Sequence, residues 1–180
     1  MLEKDIKKVL ITEEELAKRV EELATQINED YKDKNLLFIV ILRGAFVFAS
    51  DLYKRIKVFS EVDFMAVSSY GKGTQSSGEV KILKDLSNSI EGKDVIIVED
   101  ILDTGITLNN LVKMLKVRNP ASIEICTCLN KPERRVADID AKYIGFDVEN
   151  EFIVGYGLDY GEKYRNLPYI GALKEEVYTR

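Results

Sequence analysis

Apolar and polar positions follow two rhythms along this chain, and the changes of rhythm mark out its elements. Thr12-Glu13-Glu14-Glu15 has the pattern of a capping box, and Leu16, Val20, Leu23 and Ile27 follow at helical spacing. They predict a first helix ending near Tyr31. Leu36 to Leu42 reads LLFIVIL, an unbroken apolar run that suits a strand buried on both faces. After Arg43-Gly44-Ala45 a helical stretch runs through Tyr53 to about Ile56. Val62 to Ser68 predicts the next strand, Tyr70 to Gly78 a polar loop with three glycines, and Glu79 to Leu83 a further strand. Val95 to Val98 is again wholly apolar, and Gly105 to about Val117 is helical until Asn119-Pro120 stops it. Ser122 to Leu129, Tyr143 to Phe146 and Phe152 to Val154 complete the predicted strands.

Apolar strands alternating with helices predict an α/β fold with a mainly parallel central sheet flanked by helices. A length of 180 residues fits one domain over the whole chain, and no repeat, low-complexity tract or linker divides it. In such sheets ligands bind beyond the carboxyl ends of the strands. The chemistry should therefore lie just after each apolar run.

The segment Val95 to Leu108, VIIVEDILDTGITL, carries the most information. A buried strand ends in two adjacent acids, Glu99 and Asp100. Two apolar residues follow, and Asp103-Thr104-Gly105-Ile106-Thr107 opens a helix. Such a loop can wrap a phosphate monoester. Gly105 permits the tight turn, backbone amides and the helix N-terminus favour an anion, and Thr104 and Thr107 add hydroxyl donors. The Gly-Lys-Ser/Thr of a P-loop is missing, so a single terminal phosphate suits it better than a nucleoside triphosphate. Two adjacent acids at a strand end suit ribose hydroxyls or the water shell of a divalent cation. The plainer reading of the same acids is a turn capping a helix, with Asp103 as N-cap.

Composition narrows the chemistry. The chain contains no histidine, which removes Ser-His and Cys-His nucleophile systems and histidine-ligated metals. A metal partner should then be a hard cation held by oxygens, Mg²⁺ or Mn²⁺. The net charge of −5 supplies no general basic field for a nucleic-acid backbone. No apolar run is long enough to span a bilayer, and the charged start Met1-Leu2-Glu3-Lys4-Asp5 has no signal-peptide core behind it, so a cytosolic protein is expected. Cys126 and Cys128, the only cysteines, are neighbours on one face of a strand and read as buried, reduced thiols.

The segment from Val95 to Thr107 resembles the donor-binding motif of the type I phosphoribosyltransferases: hydrophobic strand, two acids, two apolar residues, then Asp-Thr-Gly-x-Thr. The resemblance implies phosphoribosyl pyrophosphate as donor, with its 5′-phosphate in the loop Asp103, Thr104, Gly105, Ile106 and Thr107. It also implies ribose hydroxyls and Mg²⁺ near Glu99 and Asp100, and Asp103 as the catalytic base. Most of the remaining chain is similar to the hypoxanthine-guanine branch, with a small hood built from the C-terminal segment. There Arg43, Gly44 and Arg165 would bind pyrophosphate, with a cis peptide between Leu42 and Arg43. Ala45 departs from the glycine many members have at that place. Ser69-Tyr70 resembles a lid. Lys131 would donate to the purine 6-oxo group, Phe152 would stack on the ring, Ile153 and Asp159 would meet the base edge through backbone, and the Asp159 carboxylate would approach Mg²⁺.

The implied reaction is purine salvage: transfer of 5-phosphoribosyl to hypoxanthine or guanine, giving the nucleoside monophosphate and pyrophosphate. Relatives of this size imply a homodimer or homotetramer, with no nucleic-acid or membrane partner. An enzyme using xanthine stays open, and the donor motif alone also fits enzymes that use adenine, uracil or orotate. A nucleotide-sensing RNA-binding regulator on the same fold stays open as well, although an acidic chain favours it less.

Overall fold

The computed structural model describes residues 2–69 and 80–179. A short 3-10 turn leads into strand β1 (Ile6–Ile11) and helix α1 (Glu13–Asp30). The predicted capping box is formed: Thr12 Oγ1 accepts from the Glu15 amide at 3.2 Å, and the Glu15 carboxylate accepts from the Thr12 amide at 2.8 Å. Then come β2 (Leu36–Leu42), α2 (Phe46–Tyr53), β3 (Ser60–Ser69), β4 (Val80–Lys84), β5 (Asp94–Leu102), α3 (Ile106–Lys116), β6 (Ser122–Asn130) and β7 (Tyr143–Asp147). The chain closes with β8 (Ile153–Val154), β9 (Ile170–Leu173) and α4 (Glu175–Tyr178).

The main sheet has six strands in the order β4-β3-β2-β5-β6-β7, parallel except for β4. Strand β2 and the Val95 to Val98 stretch of β5 are wholly apolar because both faces are covered there. Phe38, Val40, Ile96 and Val98 enter one core with Leu16, Leu23 and Phe48 from α1 and α2. Leu37, Ile39, Val95 and Ile97 enter a second core with Leu108, Leu111 and Leu115 from α3. Alternation of side chains across the strand thus feeds two cores from one continuous apolar run. Cys126 and Cys128 are buried, free thiols in the first of these cores.

The strand order puts the site in place. From β2 the chain moves outward to β3, whereas β5, β6 and β7 build the other half of the sheet. A crevice opens where the order reverses. β2 pairs with β5 only from Leu36↔Asp94 to Val40↔Val98, while β5 continues along β6 as far as Leu102↔Asn130. β5 is therefore longer than its apolar run suggests and carries Glu99 and Asp100 inside the strand, beyond the point where β2 turns away.

One expectation needs correction, and two strands were not foreseen. The second sheet, in the order β1-β9-β8, is antiparallel and takes an edge strand from residues 6–11, so it is not built from the C-terminal segment alone. β1 and β9 were both missing from the pattern. In β1, Lys7, Lys8 and Val9 are exposed, so the segment shows no alternation, and its partner IGAL is too short and glycine-containing to read as a strand. Among the described residues no helix is long and apolar enough to cross a membrane.

Candidate active site

At the carboxyl end of β5 the chain turns through Gly105, whose φ of +77° makes it the left-handed N-cap of α3. Gly105, and not Asp103, is thus the cap. A Cβ here would sit 2.6 Å from Ile139 Cγ2 and 3.0 Å from Arg135 Cδ, so both backbone angle and space require glycine. The first-turn amides of α3 have no acceptor within the helix. They border a small cavity of about 140 Å³ lined by Glu99, Asp103, Thr104, Gly105 and Thr107, among others. Arg135 braces this loop from behind: its guanidinium donates to Asp103 O at 3.1 Å and to Ile139 O at 2.6 Å, and it also bonds Asn130 Oδ1.

Glu99 and Asp100 are half-buried neighbours. Burial and the adjacent Asp100 carboxylate push the Glu99 carboxyl well up, and burial also raises Asp100. Asp100 Oδ1 accepts from the Ile101 amide at 2.7 Å, which aims Oδ2 at the loop after β2. There the Leu42-Arg43 peptide is cis, as expected. Gly44 lies so close to Asp100 that an added Cβ would stand 1.5 Å from Oδ2. Ala45 starts α2 with φ −76°, an ordinary right-handed value, so glycine is not needed at that position.

A third loop closes on this point. Gly157, at φ +105°, packs against Gly44 O, and Arg165 donates to Gly157 O at 2.8 Å. Arg43 and Arg165 line one cavity of about 420 Å³ with Leu42, Phe46 and Glu162. Neither arginine is idle: Glu162 pairs with Arg43 at 3.0 Å and with Arg165 at 3.3 Å, and Asp159 pairs with Arg165 at 3.0 Å.

A cleft of about 430 Å³ lies between the ends of β5 and β6 and the small sheet. Its walls include Ile101, Asp103, Lys131, Phe152, Ile153 and Asp159. Lys131 is only 8% exposed and donates to Glu151 O at 2.9 Å. Burial pulls its ammonium below the usual lysine range, against the opposing pull of Asp103. Phe152 is 41% exposed, stacks on Tyr178 (centroids 4.7 Å, planes at 15°) and meets Tyr160 edge-on. Asp103, exposed to both cavities, receives a 2.6 Å hydrogen bond from Arg134 Nε.

The structure therefore gathers the Asp103 to Thr107 loop, the acid pair, Arg43 and Arg165, and Lys131, Phe152 and Ile153 around one crevice. Ser69 ends β3, while Tyr70, the other residue of the expected lid, lies outside the described residues. Asp159 faces Arg165 at 3.0 Å. Among the described residues no three His, Cys, Asp or Glu side chains converge to hold a metal. The acid pair itself fits a hard divalent cation: it offers oxygen donors only, and a cation would offset the charge that burial and proximity disfavour. Two acids alone suit a cation that arrives with substrate oxygens and water, since Mg²⁺ keeps several waters. Sequence reasoning missed Arg134, Glu162 and Tyr178. Arg134 and Glu162 each stand three residues from a predicted site residue, Lys131 and Arg165, and that spacing was the available signal.

A parallel sheet with a phosphate loop and an acid pair at its switch point defines a phosphoribosyl-transfer fold. The family model for the phosphoribosyl transferase domain matches residues 10–161, and the chain belongs to this family of glycosyl-transferring enzymes. Within it, the chain is 57% identical over 180 residues to a hypoxanthine-guanine phosphoribosyltransferase of Streptococcus thermophilus, covering 100% of both. The Bacillus subtilis protein of the same name is 54% identical over 178 residues, covering 99% of each. A crystal structure of a hypoxanthine phosphoribosyltransferase from Staphylococcus aureus matches with TM-score 0.98 at 54% identity, covering 99% of this chain and 97% of that one.

Proposed function

We propose that the chain, acting as one domain over residues 1–180, transfers 5-phosphoribosyl from phosphoribosyl pyrophosphate to N9 of hypoxanthine or guanine with Mg²⁺. The observation that carries this reading is the position of Asp103. It lines both the small cavity of the phosphate loop and the larger cleft that holds Lys131 and Phe152. A donor phosphate in the first and a purine in the second would meet at its carboxylate.

Each residue then has a task. The amides and hydroxyls of Thr104 to Thr107 take the 5′-phosphate at the N-terminus of α3. Glu99 and Asp100 orient the ribose hydroxyls and would hold Mg²⁺, with Asp159 approaching through water. When bound with the donor, Mg²⁺ neutralises charge growing on the leaving pyrophosphate. Arg43, Gly44 and Arg165 grip the same group, Arg43 and Arg165 by charge and Gly44 by its backbone amide. Departure of pyrophosphate leaves positive charge at the anomeric carbon, as in glycosyl transfer generally. N9 attacks that carbon while Asp103 accepts the proton at N7. Phe152 stacks on the purine, and Ile153 and Asp159 meet its edge through backbone. Ser69 and Tyr70 would begin a lid over the crevice.

The Lys131 ammonium has donors only, which matches a 6-oxo acceptor and mismatches the 6-amino group of adenine. Purified protein with donor and Mg²⁺ should convert hypoxanthine or guanine, with little from adenine or uracil and none under EDTA. Ultraviolet absorbance reads the product, and conversion of adenine at the rate of hypoxanthine would defeat the base assignment. Lys131→Gln should raise KM for 6-oxopurines about 10- to 100-fold, the weight of a charge-assisted hydrogen bond. An unchanged KM would remove Lys131 from the base edge.

Phe59, Val62, Phe64 and Leu83 are exposed apolar side chains on or beside β3 and β4. They support assembly as a homodimer or homotetramer, which light scattering resolves. A salvage enzyme of this kind would act in the cytoplasm, which cell fractionation checks.

A further inference from the structure

The arginines assigned to pyrophosphate are already partnered by an anion of the protein itself. Arg43 projects from the loop after β2 and Arg165 from the loop before β9, two segments far apart in sequence. One carboxylate spans them: Glu162 lies 3.0 Å from Arg43 Nη1 and 3.3 Å from Arg165 Nη2. All three line the same cavity.

The backbone beneath Glu162 is unusual in the same direction. Glu162 has φ +64°, Gly161 precedes it at +59°, and Tyr164 follows at +75°. A left-handed conformation is uncommon at glutamate and needs surroundings that impose it. Here they are identifiable: the Asp159 carboxylate accepts from the Glu162 amide at 2.8 Å, and Tyr160 and Lys163 exchange backbone hydrogen bonds at 3.2 Å. Held in this turn, the acidic side chain faces two cations.

We propose that Glu162 is a placeholder anion that occupies the pyrophosphate subsite when pyrophosphate is absent. It holds Arg43 and Arg165 at a bridging separation, so that neither arginine must be ordered afresh when the donor binds. It must also give them up at that moment and reclaim them as the product leaves, which weakens the grip on free pyrophosphate. This inference rests on the assignment of Arg43 and Arg165 to pyrophosphate in the proposed function.

The effect has a bounded size. Arg43 and Glu162 have side chains 69% and 59% exposed, while Arg165 is 19% exposed. Pairs this open to solvent are modest, so competition from Glu162 should change pyrophosphate affinity roughly three- to tenfold.

The test is titration of the whole protein with inorganic pyrophosphate and Mg²⁺ by calorimetry, for wild type, Glu162→Gln and Glu162→Asn. Asparagine tolerates the left-handed conformation, so it removes the charge without loading the backbone. Both variants should bind pyrophosphate roughly three- to tenfold more tightly, and the gain should shrink at about 0.5 M salt. Inhibition of transfer by added pyrophosphate should strengthen by the same factor. A merely structural residue would give the opposite sign. Binding equal to or weaker than wild type in both variants, with the wild type binding normally, overturns the placeholder and leaves the function intact. Arg165→Gln that binds pyrophosphate like wild type overturns the subsite assignment itself, and the placeholder with it.

Discussion

Asp103→Asn is expected to lower the rate of phosphoribosyl transfer by about 10²- to 10³-fold, the usual weight of one proton-transferring group. Donor affinity should stay within about threefold of wild type, because the proposed phosphate contacts come mostly from the amides of Thr104 to Thr107 and not from the Asp103 carboxylate. Asparagine keeps the size of the side chain and one acceptor oxygen. It loses the ability to take a proton from N7. It also weakens the 2.6 Å pair with Arg134, which is an ion pair only while residue 103 is an anion. That pair fixes how the carboxylate is presented to the cleft, since Arg134 approaches from the 3-10 turn just after Lys131. Single-turnover measurement of nucleotide formation separates the chemical step from product release, and donor titration reads binding alone. A single-turnover rate within about threefold of wild type would strip Asp103 of its role as base.

The chain displays most of this site in advance because the site is assembled at strand ends, where sequence is local. β2 occupies Leu36–Leu42, the bounds of its apolar run, and Arg43-Gly44 follows directly. Glu99, Asp100 and the Asp103 to Thr107 loop lie on one continuous segment, so their relation to each other is legible without the fold. What could not be read are contacts closed by tertiary structure. Glu162 meets Arg43 across more than a hundred positions of sequence, and Tyr178 reaches Phe152 only because β9 folds back on β8. β1 escapes for a related reason. It is an edge strand with lysines facing solvent, and its identity as a strand comes from pairing with β9 at the other end of the chain. The extension of β5 past its apolar run likewise depends on β6, which offers Thr127 to Asn130 as partners after β2 has turned away.

That divergence of β2 from β5 makes Gly44 the position where the smallest substitution should have the largest consequence. A methyl group at residue 44 would stand 1.5 Å from Asp100 Oδ2 and 2.5 Å from its Cγ. The backbone of residue 44 has little room to retreat, because Gly157 already packs against Gly44 O and is itself tied to Arg165. The Asp100 carboxylate must swing instead, giving up the 2.7 Å hydrogen bond from the Ile101 amide that orients it. The chain should still fold, since the displaced group borders an open crevice and neither main core is touched. Gly44→Ala is therefore expected to keep its thermal midpoint within a few degrees while kcat/KM for the phosphoribosyl donor falls about 100-fold or more, as misplacing a positioning group by an ångström can do. The loss should appear with every purine alike, because the displaced acid is the one proposed to serve the ribose and Mg²⁺ and not the base. Thermal unfolding and donor kinetics measured on the same preparation decide it. A large fall in stability would locate the damage in packing, and unaltered donor kinetics would show that the acid pair does not orient the sugar.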